Sequence, residues 1–347
     1  MKTKIALVML LSLSSLFSCK AYSDLSVEDF AKMLSADGTA QLVDVRTTEE
    51  FAAGHLSGAV NIDWYGSDFM KNAAAALDAA RPVMLYCRSG RRSAAAAAKL
   101  AKAGFKAFNL LGGYIAWTEA GLPVTTYEVE RFCTDHGAPV EITLIKHGSI
   151  AISYRGLSIQ VDPVIKLGKE TDYATDFPKA DAILVTHEHY DHLDKAAIDA
   201  LRKDETVLVT NANCKKILGW GQALSNGKAM VFLQDVMLEA VPAYNTTEGH
   251  TRFHPKGRDN GFVLTLDGLR IYIAGDTEDI PEMAELKDID VAFLPVNQPY
   301  TMTPEQCIAA AKVINPKVLI PYHYGQTDVS GISAALPGMD VRIRQMQ

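Results

Sequence analysis

The chain has 347 residues, enough for two domains of ordinary size rather than one. Its 48% hydrophobic and 22% charged residues are typical of globular proteins and exclude a mainly disordered, collagen-like or multi-span membrane chain. A net charge of −7 without a Lys/Arg-rich block argues against nucleic acid as a partner, and five cysteines are too few for a disulfide scaffold.

In chain order the first element is an export signal. Lys2 and Lys4 precede an uncharged, Leu-rich run from Ile5 to Phe17, too short to read as a spanning helix. It ends in Leu16-Phe17-Ser18-Cys19. This ending resembles a bacterial lipoprotein signal, which implies removal of residues 1–18 and a mature chain beginning at a lipid-bearing Cys19. Phe17 departs from the small residue usual at that position, and an ordinary signal cut near Ala21 is the alternative. Either way the mature protein is exported, to the bacterial envelope or periplasm. Losing Lys2 and Lys4 makes it more acidic, so membrane attachment would rest on acyl chains.

From residue 24 to 127 short apolar runs alternate with Ala-rich stretches. Gln41–Val45, Val83–Cys87 and Ala107–Leu110 are predicted strands, and Val27–Leu34 and Ser93–Ala103 predicted helices, which gives an α/β domain. The Val83–Cys87 run leads into Arg88-Ser89-Gly90-Arg91-Arg92-Ser93, so Cys87 stands at a strand-to-helix turn. Inward-pointing backbone N–H groups and the positive end of the helix dipole there make an anion cradle that lowers a thiol pKa. Leu42-Val43-Asp44-Val45-Arg46, Gly54-His55-Leu56-Ser57-Gly58-Ala59, the Cys87 loop, Leu111-Gly112-Gly113 and Gly121-Leu122-Pro123-Val124 follow one another in this order. In these residues the domain resembles the rhodanese family. The resemblance implies that Cys87 carries sulfur as a persulfide, that Arg88 and Arg92 with the loop amides hold an anionic sulfane donor such as thiosulfate, and that Asp44, Arg46 and His55 are structural supports.

The composition then turns polar, and the linker is predicted at 128–138, with the second domain over 139–347. Glu141–Ile145, Ile150–Tyr154 and Leu157–Asp162 are predicted strands. A further strand, Asp181–Thr186, delivers His187-Glu188-His189-Tyr190-Asp191-His192. His187 and His189, two apart, can share one face, while the following turn swings Asp191 and His192 toward an adjacent position. Such packing of ligand-type residues is rare by chance. The spacing resembles the metallo-β-lactamase fold superfamily, an αββα sandwich. The resemblance implies further ligands in Asp276 of Gly275-Asp276-Thr277, in His323 of Tyr322-His323-Tyr324, and in a histidine ahead of Asp276. His250 and His254 both qualify; Phe253-His254-Pro255-Lys256-Gly257 resembles the branch related to ascorbate-6-phosphate lactonase and favours His254.

By the same resemblance His187, His189 and His254 make one site, Asp191, His192 and His323 the other, and Asp276 bridges. Two divalent ions, zinc by preference with manganese or iron also suited to these donors, about 3.5–4 Å apart, would bring a shared water toward ionisation at neutral pH. Asp191 is counted among the catalytic residues. Lys256, Arg258 and Tyr300 are candidates for contact with a small-molecule substrate, Asp162 is a support, and His147 has no assigned role. The leading reading is an exported sulfurtransferase fused to a metal-dependent hydrolase of an ester, lactone or phosphodiester. A persulfide dioxygenase-like enzyme with one iron, and a non-catalytic sulfur- or metal-binding lipoprotein, are the alternatives.

Overall fold

The structure is a computed structural model describing residues 21–36 and 39–346; the signal segment and Cys19 lie outside the described residues. Near the N-terminus a five-stranded, all-parallel sheet runs in the order Ser23–Leu25, Ala107–Leu110, Val83–Tyr86, Gln41–Asp44, Val60–Asn61. Its central strand Val83–Tyr86 is buried throughout, as a parallel strand covered on both faces must be. The Ala-rich segment forms the helix Arg91–Lys102, which lays Ala96, Ala97 and Leu100 on the sheet. Alanine allows that close approach without losing helix propensity, and Lys99 and Lys102 complement the dipole in the last turn.

The second domain packs two seven-stranded sheets face to face. One begins at the edge strand Glu128–Cys133 and crosses Pro139–Lys146, Ser149–Tyr154, Leu157–Val161 and Ala182–Val185 toward Val207–Thr210. The other includes Asp259–Leu266, Leu269–Ile273, Val291–Pro295 and Val318–Tyr322. Apolar side chains from both inner faces, such as Ile152, Val161, Leu184, Phe262, Ile271 and Ile320, form the shared core. Two further clusters, with helical residues such as Ile198 and Leu201 on one side and Ala310 and Ile314 on the other, cover the outer faces. The result is the αββα arrangement expected.

The linker predicted at 128–138 is not a linker. Glu128–Cys133 pairs antiparallel with Pro139–Lys146, from Glu128 opposite Leu144 to Cys133 opposite Pro139. The acidic residues of that stretch have distant partners: buried Glu130 accepts from Arg342 and Arg344, and Glu128 pairs with Arg344. The true connection is the few residues after Pro123, held where Thr125 and His55 exchange backbone hydrogen bonds.

Candidate functional site

Four strands end at one rim of the sandwich and bring the chemistry together. Leu157–Val161 leads to Asp162, Ala182–Val185 to the His187–His192 loop, Leu269–Ile273 to Asp276, and Val318–Tyr322 to His323. His254 enters from the loop before Asp259–Leu266, whose antiparallel pairing with Leu269–Ile273 puts its start at the same rim. Carboxyl ends of parallel strands are where such sheets leave room for a ligand.

The supporting hydrogen bonds fix which nitrogen of each histidine faces inward. The Thr186 hydroxyl donates to Asp162 Oδ2 (2.7 Å), so it accepts from His187 Nδ1 (2.9 Å). His192 donates from Nδ1 to Asp162 Oδ2 (2.8 Å), and His254 from Nδ1 to Asp259 Oδ2 (3.0 Å). Nε2 of all three is thereby left bare, the usual way ligand imidazoles are oriented. These nitrogens surround Asp276. Its Oδ2 lies 3.7 Å from His187 Nε2 and 3.4 Å from His254 Nε2, while its Oδ1 lies 3.3 Å from both His192 Nε2 and His323 Nε2. His187 Nε2 also faces His189 Nδ1 at 3.1 Å.

Two groups of ligand atoms result, each mutually within 4.8 Å: His187, His189, His254 and Asp276 in one, His147, Asp191, His192 and His323 in the other. Buried Nε2 of His192, His254 and His323, and Oδ1 of Asp276, have no hydrogen-bond partner. Leaving so many buried polar atoms unmatched is costly unless something else satisfies them. Nitrogen and carboxylate donors of this kind, with one carboxylate between two sets of imidazoles, fit a pair of divalent metal ions.

The local electrostatics agree for the two carboxylates and for His187 and His189, whereas against burial Asp276 and Asp162 draw His192 well above its ordinary value. Burial works against the Asp276 carboxylate, but His323, His192 and His187 hold it well below the usual carboxylate range. Asp191 is likewise opposed by burial and held low by His147 and His323, so it is ionised. Burial, reinforced by neighbouring imidazoles, keeps His187 and His189 neutral.

The structure sorts the remaining candidates. His250 is outside the cluster, with Nδ1 3.1 Å from the buried Glu278 carboxylate. Lys256 is tied to Glu282 and Tyr244, and Arg258 to Asp259 and Glu188, so neither is a free anion contact; Arg258 instead steadies the carboxylate that orients His254. Tyr300 is partly exposed and packs edge-on against Phe253. His147, Thr186 and Asp259 belong to the centre although the sequence reading gave them no part in it. A histidine in a tight turn between two strands was the available signal for His147, but only the fold brings that turn against Asp191.

In the first domain Cys87 is buried at the end of Val83–Tyr86. Burial pushes its thiol up, but the Ser93 hydroxyl and the backbone N–H groups of Ser93, Ser89 and Arg92 outweigh it and bring the thiol below its ordinary value. The loop is clamped by Tyr114 N–H to Cys87 O (2.8 Å) and Ile115 N–H to Arg88 O (3.1 Å). Gly113 makes that approach possible: a Cβ there would lie 2.2 Å from Cys87 O, and its φ is +59°. Arg88 and Arg91 are exposed at the rim. Arg92 departs from the expected role, because both its terminal nitrogens are engaged by Glu50 at 2.7 and 2.8 Å. Arg46 grips Asp44 and the Gly54 carbonyl, and both His55 ring nitrogens face carbonyls, Phe51 O and Tyr127 O.

Comparison with known families agrees with this division. The family model of the beta-lactamase superfamily domain matches residues 141–323, more than half of the chain and the span holding every residue of the metal centre. The chain belongs to the beta-lactamase superfamily. The model of the rhodanese-like domain matches residues 26–120 of this superfamily member, with Cys87 inside it. A UPF0173 metal-dependent hydrolase of Lysinibacillus sphaericus is 30% identical over 193 residues, 53% of this chain and 85% of that protein. A relative of the same name in Bacillus cereus is 30% identical over 189 residues, 51% of this chain and 82% of its own. Among solved structures, a Parabacteroides distasonis protein assigned as a metal-dependent hydrolase is 55% identical with a TM-score of 0.61, covering 64% of this chain and 100% of that one. A metallo hydrolase of Ignicoccus hospitalis is 26% identical with a TM-score of 0.52, covering 60% and 95%.

Proposed function

We propose that the protein is an exported two-domain enzyme in which a dinuclear metal centre hydrolyses an ester, lactone or phosphodiester of a small molecule and Cys87 transfers sulfane sulfur. The observation that carries the first part is the Asp276 carboxylate, with one oxygen toward each group of imidazoles. The printed names of the superfamily relatives, metal-dependent hydrolases, support the same reading. Divalent ions, when bound, supply Lewis-acid polarisation of the scissile bond and a nucleophile at neutral pH. Thr186, Asp162 and Asp259 hold the imidazoles in the tautomer that presents Nε2. Asp276 and Asp191, both ionised, balance positive charge in a buried place. Zinc, manganese and iron all suit these donors.

In the first domain the Cys87 thiolate attacks the outer sulfur of thiosulfate, the donor S–S bond breaks and sulfite leaves. An acceptor such as cyanide then takes the sulfur as thiocyanate and restores the thiolate. Export, with Cys19 as lipid acceptor, is part of the same proposal and is tested by labelling with a fatty-acid analogue, which Cys19→Ala should abolish.

The deciding experiment is metal analysis of full-length protein purified without chelators, with hydrolysis measured on nitrophenyl esters, lactones and bis-nitrophenyl phosphate. About two ions per chain, falling toward one in His323→Ala, together with hydrolysis, is the expected result. One tightly held iron with oxygen uptake on a persulfide would replace the hydrolase by a dioxygenase.

A further inference from the structure

His147 stands apart from the four histidines around Asp276. Its Nε2 lies 3.2 Å from Asp191 Oδ2, and this is its only carboxylate partner within ion-pair distance among the described residues. Its ring packs on His323 with centroids 3.6 Å apart. Its main chain is part of the same junction: His147 N–H donates to Met346 O (2.6 Å), and His147 O accepts from His323 N–H (3.2 Å). To make these contacts together the residue adopts φ +48°, a conformation uncommon outside glycine. Its two successors serve the same centre. A Cβ on Gly148 would lie 2.7 Å from His192 Cε1, so only glycine lets the turn pass over that ring. Ser149 donates to Asp162 O (2.5 Å), the backbone of the residue that orients His192.

We propose that the turn His147-Gly148-Ser149 is a brace for the second metal position, with His147 as a positioning residue that donates from Nε2 to Asp191. That bond fixes the carboxylate of Asp191, whose Oδ2 also faces His323 Nε2 at 3.8 Å, beside the second metal position. The ring and carbonyl of His147 hold His323 from the same side. The proposal rests on the dinuclear reading above but concerns affinity rather than turnover, so a failure to find a hydrolysable substrate does not touch it. Partners of this kind typically govern metal affinity by about 10–100-fold.

Two variants separate the donor from the ring: His147→Phe keeps a ring against His323 without a donor, and His147→Gln keeps an N–H donor without the ring. Apo full-length protein is titrated with Zn²⁺ against a competing chelator, and Co²⁺-loaded protein is followed by its visible spectrum. In His147→Phe the second equivalent should bind about 10–100-fold more weakly while the first is unchanged, and His147→Gln should recover most of the loss. The Co²⁺ band intensity at saturation should match the parent, because no ligand has been removed. Parental affinity for both equivalents in His147→Phe would overturn the proposal. So would equal weakening of both with a lower melting temperature of the metal-free chain, the mark of a merely structural residue. A changed Co²⁺ spectrum without rescue by glutamine would make His147 a ligand instead.

Discussion

Replacing Asp162 by asparagine changes one atom's chemistry and should disable one half of the metal centre. Asp162 Oδ1 accepts from Thr186 N–H (2.8 Å), and Oδ2 accepts from the Thr186 hydroxyl (2.7 Å) and His192 Nδ1 (2.8 Å). The residue has φ +45°, which asparagine tolerates as well as aspartate, so the substitution adds no backbone strain. With the amide oxygen kept on Thr186 N–H, the NH₂ group faces His192 Nδ1–H, donor against donor. Relief comes only if His192 moves its proton to Nε2. That nitrogen, 3.3 Å from Asp276 Oδ1, would then donate to the carboxylate and be closed to an ion. Two hydrogen bonds to a charged acceptor are lost or weakened, at about 1.5–3 kcal/mol each. Second-ion affinity should fall by about 10–100-fold, or roughly 1.4–2.7 kcal/mol. The first equivalent should change less, since His187 depends on Asp162 only through Thr186. Chelator-competition titration of Asp162→Asn against the parent measures the affinities, and urea unfolding of both metal-free chains measures the stability. Parental affinity for the second equivalent in a folded variant would refute the tautomer argument.

Cys87→Ser should abolish thiosulfate-to-cyanide transfer and leave metal content unchanged; retained transfer would remove Cys87 from the chemistry. Because loop donors hold the Cys87 thiol below its ordinary value, alkylation should stay fast until the pH falls through that lowered pKa, and Ser93→Ala should move the midpoint upward. Gly113→Ala forces a methyl against Cys87 O and should cost about 1–3 kcal/mol in strain, read as a lower unfolding midpoint together with lost transferase activity. His254→Ala should lose metal and His250→Ala should keep it, because His250 is occupied by Glu278; metal loss confined to the His250 variant would reverse that assignment.

Local spacing was enough to single out the two candidate sites. Ligand-type residues packed from His187 to His192 after an aliphatic strand, and Cys87 in an Arg- and Gly-containing turn before an Ala-rich helix, stand out by their neighbours alone. Both signals lie within a few residues, so they survive without knowledge of the fold. What depended on distant partners was not legible. Glu128 and Glu130 read as a solvated linker because Arg342 and Arg344, which neutralise them, enter only when the chain's end returns to the edge strand. Arg92 read as an anion contact because Glu50 lies in another element. His250 and His254 both precede the Asp276 strand and only a resemblance favoured His254; the surrounding carboxylates, Glu278 for one and Asp259 for the other, separate them physically. Sequence supplied the ligands because coordination needs particular atoms at short spacing; tertiary structure alone decided which way each imidazole faces, because a tautomer is set by whichever acceptor the fold brings to its other nitrogen.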